Sequence, residues 1–405
     1  MLALLGGPPV LRPDELRGWP GVTAEDEAAV VTALRDATPW RWPMRAATEL
    51  EEAWSELTGA PYVLAVNSGT AALHMALTAA GVRPGDEVLV PADTFGATAQ
   101  AVLHAGARPV FVDSDPMTYT IDPVLAASAV TPLTRAVLPV DLHGLPAGYD
   151  ALGRIGLAVV EDGAQAHGAT YRGRPVGVLG DAAGLSLNGS KTLSSLGEAG
   201  LFCTADREGF RRAQALMTFG EDPDAAAGDM PEVMSIGWNY RIHVLGAAFA
   251  RSQLSRLREM SGARTANGAA LTEALAGIPG LRLPTVPDDR THVYFLYPLL
   301  VVPEELEMGA EHIPAFRDVL REAATAEGLP ISRWQTKPLP RHRLFRTSAR
   351  FPVAEDICAR RLVIGHSTCP IGPPHTPATM RRIARVFEKI LVTEKKTFRR
   401  LVNER

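Results

Sequence analysis

The sequence predicts an α/β protein with a mostly parallel sheet covered by helices and a smaller α+β unit after it. Three observations carry this. Between about residues 60 and 205, short runs rich in Val, Leu and Ile alternate with segments of helical period. The runs have few polar breaks, as strands buried on both faces do. At 405 residues the chain also exceeds what one hydrophobic core usually supports.

Tyr62 to Val66 reads as the first strand, followed by a helix from Gly69 to Ala80. Glu87 to Val90 is the next strand, with a helix from Thr94 to His104 after it. Pro109 to Val112, Arg135 to Pro139, Leu157 to Glu161 and Ala182 to Leu187 continue the series. Such alternation builds a parallel sheet through right-handed crossovers. Upstream, a helix begins near Thr23, with Asp26 placed to cap it. Helices cover Asp206 to Phe219 and Arg241 to Leu275. In the smaller unit, Val293 to Val301 reads as a strand and Ile313 to Ala326 as a helix. A terminal helix runs from Pro377 to Val392, with Thr376 as N-cap and Pro377 at the first helical position. The boundary is placed near residue 260, giving 1–260 for an N-terminal arm and large domain and 261–405 for the small one.

The chain is 46% apolar and 21% charged, with a net charge of −4. It lacks the excess of Lys and Arg that marks a nucleic-acid partner. Cys203, Cys358 and Cys369 are widely spaced with no CxxC, so neither a disulfide framework nor a zinc site is expected, and a reducing cytoplasm is. The opening Met1 to Pro9 has no basic leader, and no apolar stretch approaches the roughly 20 residues that span a bilayer.

Three segments carry chemistry. Asn67-Ser68-Gly69-Thr70-Ala71-Ala72-Leu73 joins a strand to a helix, where unpaired amides and the Ser68 and Thr70 hydroxyls suit a phosphate. A plain N-cap would use the same residues. Asp162 follows an apolar strand, and strand ends of this kind line the ligand crevice of open α/β sheets; alone, it reads as a turn cap. Lys191 follows the strand that ends near Ser186 and lies among small residues that leave room for a planar ring. An isolated lysine there reads as a surface charge. Together, the lysine, the aspartate and the phosphate-type helix start form the set a pyridoxal-phosphate site requires. The lysine holds the cofactor as a Schiff base and the aspartate keeps the pyridine nitrogen protonated. Phe95 is available to stack on the ring, and Gln165 and His167 to brace its substituents.

These segments resemble the DegT/DnrJ/EryC1/StrS family of pyridoxal-phosphate-dependent aminotransferases. The residues that carry the resemblance are Asn67 to Leu73, Glu161 to Ala169, Ser186 to Lys191, and Gly237-Trp238-Asn239-Tyr240-Arg241-Ile242 with Gly246 to Ala248 and Gln253-Leu254. It spans about residues 20 to 390. The resemblance implies fold type I, the aspartate-aminotransferase-like fold, and a homodimer with shared sites. It implies that Lys191 bonds the cofactor and that Asp162 pairs with the ring nitrogen. Ser68, Gly69, Thr70 and Ser186 would hold the phosphate, Phe95 would stack on the ring, and Gln165 would meet its hydroxyl. Asn239 would reach the phosphate from the neighbouring subunit, with Arg241 near the entering substrate. Trp40 is placed at the substrate entrance, or in packing of the arm, and His366 is a further substrate candidate.

Two departures stand out. Ala199 replaces a glycine in the segment after the lysine, and one extra residue separates Lys191 from Glu198. Within the family, Gly6 to Val10 and Gly365-His366-Ser367 are more similar to the cyclitol (scyllo-inosose type) and aminohydroxybenzoate branches. The expected activity is amino transfer from L-glutamine or L-glutamate to a keto-cyclitol or keto-sugar in secondary metabolism. The alternatives are a nucleotide-keto-sugar acceptor, an aminohydroxybenzoate-synthase-like or other reaction of the same cofactor, and a non-catalytic cofactor-binding regulator.

Overall fold

The computed structural model describes residues 1–12, 15–16, 18, 21–36, 44–225, 231–365 and 371–405. Trp40 and His366 lie outside them.

Among the described residues, nine strands fall in the first part of the chain: β1 (Tyr62–Val66), β2 (Glu87–Pro91), β3 (Arg108–Val112), β4 (Thr134–Val137), β5 (Ala158–Asp162), β6 (Thr170–Tyr171), β7 (Arg174–Pro175), β8 (Ala182–Ser186) and β9 (Gly200–Thr204). Seven of them form one sheet in the order β1-β9-β8-β5-β4-β2-β3. Every pairing in it is parallel except those of β9, which runs antiparallel to both neighbours. β6 and β7 form a separate hairpin. The apolar runs become strands within two residues of their expected ends. β9 was not anticipated, because Gly200 follows a glycine-rich segment that reads as loop. Its five residues are nonetheless buried throughout.

The helix after β1 covers Gly69–Ala79 and the one after β2 covers Gly96–His104. Helix Ala24–Asp36 starts with the expected cap: the Thr23 N–H donates to Asp26 Oδ2 at 2.9 Å. Asp26 is fully buried and also accepts from Arg256 Nη2 and Gln253 Nε2. The long helical run read as Arg241 to Leu275 is divided into Val244–Leu254 and Leu257–Leu275. Gln253 and Arg256, on either side of that break, are the residues that reach Asp26. Helix Arg45–Thr58 was not anticipated; it lays Ala47, Leu50 and Trp54 on the sheet.

A second, antiparallel sheet comprises β10 (Leu281–Arg282), β11 (Leu296–Val301) and β12 (Arg361–Gly365), in that order. β11 starts three residues later than the apolar pattern suggests. Tyr294 has φ +45°, a left-handed conformation that cannot continue a strand. Helices Ile313–Ala326, Pro377–Glu388 and Lys395–Asn403 belong to this part. The two apolar cores divide along helix Leu257–Leu275: Leu257 and Met260 join the core of the large sheet, Ala270, Leu271 and Leu275 the other. Leu2 and Leu11 also pack into the second core.

Glu51, on helix Arg45–Thr58, accepts a hydrogen bond from the Ala65 N–H of β1 at 2.8 Å. Burial pushes its pKa up to about 7 from 4.5. A carboxyl raised in this way stabilises the fold fully below about pH 4.5, and the benefit is lost as pH climbs through 7. Glu51→Gln keeps the acceptor and removes the charge. Thermal melts should show the variant up to about 3 kcal/mol more stable, a rise of a few °C, at pH 8 and equal to the parent near pH 4.5. Equal stability at pH 8 would contradict this.

Candidate active site

The carboxyl ends of the parallel strands open on one cleft of about 430 Å³. Its lining brings together Ser68, Gly69, Thr70, Phe95, Asp162, Gln165, Ser186 and Lys191, residues spread over more than 120 positions of sequence. Topology explains the convergence. Asp162 ends β5, Ser186 ends β8, Asn67-Ser68 follow β1, and Thr94-Phe95 follow β2. Strand order places β5 beside β8, so Asp162 is in register with Gly184, two residues before Ser186.

Ser68 is the N-cap of helix Gly69–Ala79, its Oγ accepting from the Ala71 N–H at 3.1 Å. The N–H groups of Gly69 and Thr70 have no partner within the helix. Gly69 cannot be larger: a Cβ there would lie 2.6 Å from the Ser186 Cβ. The helix start is therefore seated directly on the end of β8, and two hydroxyl-bearing segments adjoin.

Asp162 is almost wholly buried. Its Oδ2 accepts from Thr98 Oγ1 at 2.8 Å and its Oδ1 from the Ala164 N–H at 3.2 Å. Thr94 and Thr98 share a further hydroxyl contact of 3.0 Å. Burial raises the Asp162 pKa, and Thr98, Ala164 and the Lys191 charge act against that rise. Lys191 is half-buried as a residue, but its amine lies deep, 4.7 Å from the centroid of the Phe295 ring. Removal from water lowers its pKa to about 8, against the opposing pull of Asp162 and Glu198. An amine so placed is partly neutral near physiological pH, as a nucleophile and proton carrier needs.

Gln165 has a fixed orientation. Its Oε1 accepts from the His143 N–H at 2.8 Å, which leaves its amide NH₂ as the donor available to a ligand. Phe95 is 59% exposed on the cleft rim, where a planar ligand could lie against it. Anionic-group donors at a helix start, a buried carboxylate, a buried amine and an exposed aromatic ring together fit a planar, phosphorylated pyridine.

Three lining residues lie outside every segment singled out in the sequence: Thr98, Phe295 and Trp334. Phe295 and Trp334 come from the C-terminal part of the chain. Thr98 sits one helical turn after Thr94, a spacing that could have flagged it. His167 does not reach the cleft; it is fully buried with its ring edge-on to Trp54. Asn239 and Arg241 also lie outside this cleft in the single chain. The Asn239 carbonyl accepts from Asn67 Nδ2 at 3.0 Å, and the Arg241 guanidinium lies over the Phe219 ring. The substituted Ala199 is fully buried, and its carbonyl accepts from the Leu187 N–H. Its methyl group enters the core of the large sheet and is not part of the cleft lining. Leu196, in the lengthened loop, takes up a left-handed conformation with φ +62°.

A larger cleft of about 610 Å³ lies between helices Ala24–Asp36, Arg45–Thr58 and Val244–Leu254. Its lining holds Asp36, Arg45 and Glu49 but no buried acid–base pair. We place the chemistry at the strand ends for that reason.

The model of the DegT/DnrJ/EryC1/StrS aminotransferase family matches residues 22–387. A putative L-glutamine:3-amino-2,3-dideoxy-scyllo-inosose aminotransferase from Streptoalloteichus tenebrarius is 35% identical over 363 residues, covering 88% of this chain and 85% of that one. A dTDP-3-amino-3,4,6-trideoxy-alpha-D-glucose transaminase from Streptomyces venezuelae is 37% identical over 278 residues, covering 68% and 71%. The X-ray structure of DesV from S. venezuelae superposes with a TM-score of 0.80 at 32% identity, covering 90% of this chain and 94% of that one.

Thr98→Val removes the donor to Asp162 without changing side-chain shape. A hydrogen bond to a charged group contributes roughly 1.5–3 kcal/mol, so cofactor affinity should fall about 10- to 100-fold in an absorbance titration. An unchanged affinity would show that Thr98 does not support Asp162. Because the Lys191 pKa is lowered, the rate of covalent capture of pyridoxal phosphate by the apo-protein should rise with pH and level off above about 8. A rate still climbing toward pH 10 would contradict the depressed value.

Proposed function

The chain belongs to the DegT/DnrJ/EryC1/StrS aminotransferase family, and on that premise we propose that it moves an amino group from L-glutamine or L-glutamate to a keto-cyclitol of the scyllo-inosose type. The observation that carries the reading is the convergence of Lys191, Asp162 and the Ser68–Thr70 helix start in one cleft. Pyridoxal 5'-phosphate is the cofactor of this family; when bound it supplies an aldehyde that accepts an amine and a ring that draws off electrons.

Each residue then has a task. Ser68, Gly69, Thr70 and Ser186 hold the phosphate by hydroxyls and helix amides. Asp162, kept ionised by Thr98 and Ala164, holds a proton at the ring nitrogen. Lys191 would hold the cofactor covalently, and as a free amine its Nζ would be the group that takes the proton from the donor's α-carbon and delivers one to the acceptor carbon. Gln165 orients the ring through its free NH₂, and Phe95 covers one ring face. We assign Asn239 to the phosphate of a partner subunit and Arg241 to the substrate entrance, within a homodimer. Trp40 and His366 are proposed as further substrate contacts.

A cleft of 430 Å³ is toward the small end of ligand sites, which suits a compact polyol acceptor beside the cofactor. The relatives that span more than four-fifths of this chain include scyllo-inosose-type aminotransferases. One observation favours a nucleotide-keto-sugar instead. A groove of about 560 Å³, lined among others by Gln100, His342 and Arg343, shares Thr70, Phe95 and Ala97 with the cleft and could take a longer acceptor.

Adding L-glutamine to the reconstituted protein should bleach its visible absorbance band, with release of one keto acid per site. Lys191→Ala should lower kcat by at least about 10³-fold, and Asp162→Ala should also abolish multiple turnover. Full turnover by Lys191→Ala would refute the assignment. Comparing kcat/KM for scyllo-inosose and for a nucleotide-keto-sugar separates the two acceptors, and a preference of more than tenfold for the latter would overturn the cyclitol reading.

A further inference from the structure

Arg361, the first residue of β12, is fully buried and faces Asp93 at the end of the segment that follows β2. The two form a fork: Nη1 donates to Asp93 Oδ2 at 2.5 Å and Nη2 to Oδ1 at 2.8 Å. Arg361 Nη1 also lies 3.5 Å from His143 Nε2. Its guanidinium carbon is 4.9 Å from the Trp334 ring centroid, and the Trp334 and His143 rings meet edge to face at 4.9 Å. Burial and the Arg361 charge hold the His143 pKa well below its usual value, so the imidazole stays neutral and its Nε2 can accept.

Arg361 Nη2 also lies 3.9 Å from Cys358 Sγ, outside the cleft, but its other three partners, Asp93, His143 and Trp334, lead into the cleft. Asp93 directly precedes Thr94 and Phe95; Thr94 touches Thr98, and Thr98 donates to Asp162. His143, held at φ +60°, donates its backbone N–H to Gln165. Trp334 itself lines the cleft. We propose that Arg361 is a positioning residue for the cofactor: one buried cation from the C-terminal sheet sets the Phe95–Thr98 wall, the Gln165 wall and the Trp334 cover in a single register. A buried ion pair is poor at stabilising a fold, since apolar residues of similar volume often serve as well. What a guanidinium–carboxylate fork supplies is direction, which a lysine ammonium cannot reproduce.

The inference rests on Lys191 being the residue that bears the cofactor. Wild-type protein that takes up no pyridoxal phosphate would defeat that reading, whereas normal uptake with unchanged variants would defeat only this one. Arg361→Lys and the apolar pair Asp93→Leu/Arg361→Met are the variants to make. For each, the apo melting temperature, the visible circular dichroism per bound cofactor, and kcat and KM for the donor half-reaction are measured. We expect Arg361→Lys to fold and bind cofactor, with its visible ellipticity at least halved. Its donor kcat should fall about 10- to 100-fold while KM changes less than about threefold, the pattern of a misplaced reacting group. The apolar pair should melt near the wild-type temperature and show the same spectral and kinetic loss. Wild-type ellipticity and kcat in either folded variant would overturn the proposal. Failure of both to fold would also overturn it, by assigning the pair to the fold alone.

Discussion

An amine and a carboxylate placed together in a dry cleft tend to lose their charges, and this tendency governs the arrangement around Asp162. Burial raises the Asp162 pKa and lowers that of Lys191. In the role proposed for it, the aspartate must nevertheless carry its charge to hold a proton on a ring nitrogen. Thr98 and Ala164 supply the compensating donors, and the lysine supplies a positive charge. The neighbouring acids give way. Burial, with Glu161 beside it, pushes the Asp141 carboxyl well above its usual range, and burial lifts that of Glu161 to about 7. Glu161 is drawn off into the Gly177 and Leu179 amides and Asp141 into Ala147 and the Tyr149 hydroxyl. Of these three neighbouring acids, Asp162 is the one that lines the cleft.

The large sheet was legible because its strands are short apolar runs buried on both faces, a pattern that survives in one dimension. β9 escaped because it starts at a glycine, and helix Arg45–Thr58 because its apolar positions are spread among charged ones. Lys191, Asp162 and the Ser68–Thr70 segment could be singled out as candidates because each lies at the end of an apolar strand or within five residues of one. The C-terminal contribution could not. Phe295 sits where Tyr294 breaks the strand, and Trp334 stands in a stretch without regular structure. Neither position has a periodicity or spacing that points to a cleft formed by strands more than 100 residues away.

The departure after Lys191 also has a physical account. Ala199 is the residue just before β9, where its side chain is received by the core of the large sheet, so an added methyl group is accommodated away from the ligand. The lengthened loop turns at Leu196, which is half exposed, and Glu198 is still delivered to the cleft, where Asn188 Nδ2 donates to it at 2.6 Å.

The end of the cleft where Gly69 meets Ser186 has almost no freedom to vary. Gly69 abuts Ser186, and a Cβ on Gly200 would lie 2.5 Å from the Ser68 carbonyl oxygen, so backbone meets backbone from two sides. Phe95, Glu198 and Trp334, by contrast, stand on rim and cover positions whose side chains can change size without moving a strand. New acceptor preferences in this lineage should therefore arise by substitution around the rim. The anchoring end would be inherited intact, and divergence in substrate would leave the cofactor's footing as the most slowly changing part of the chain.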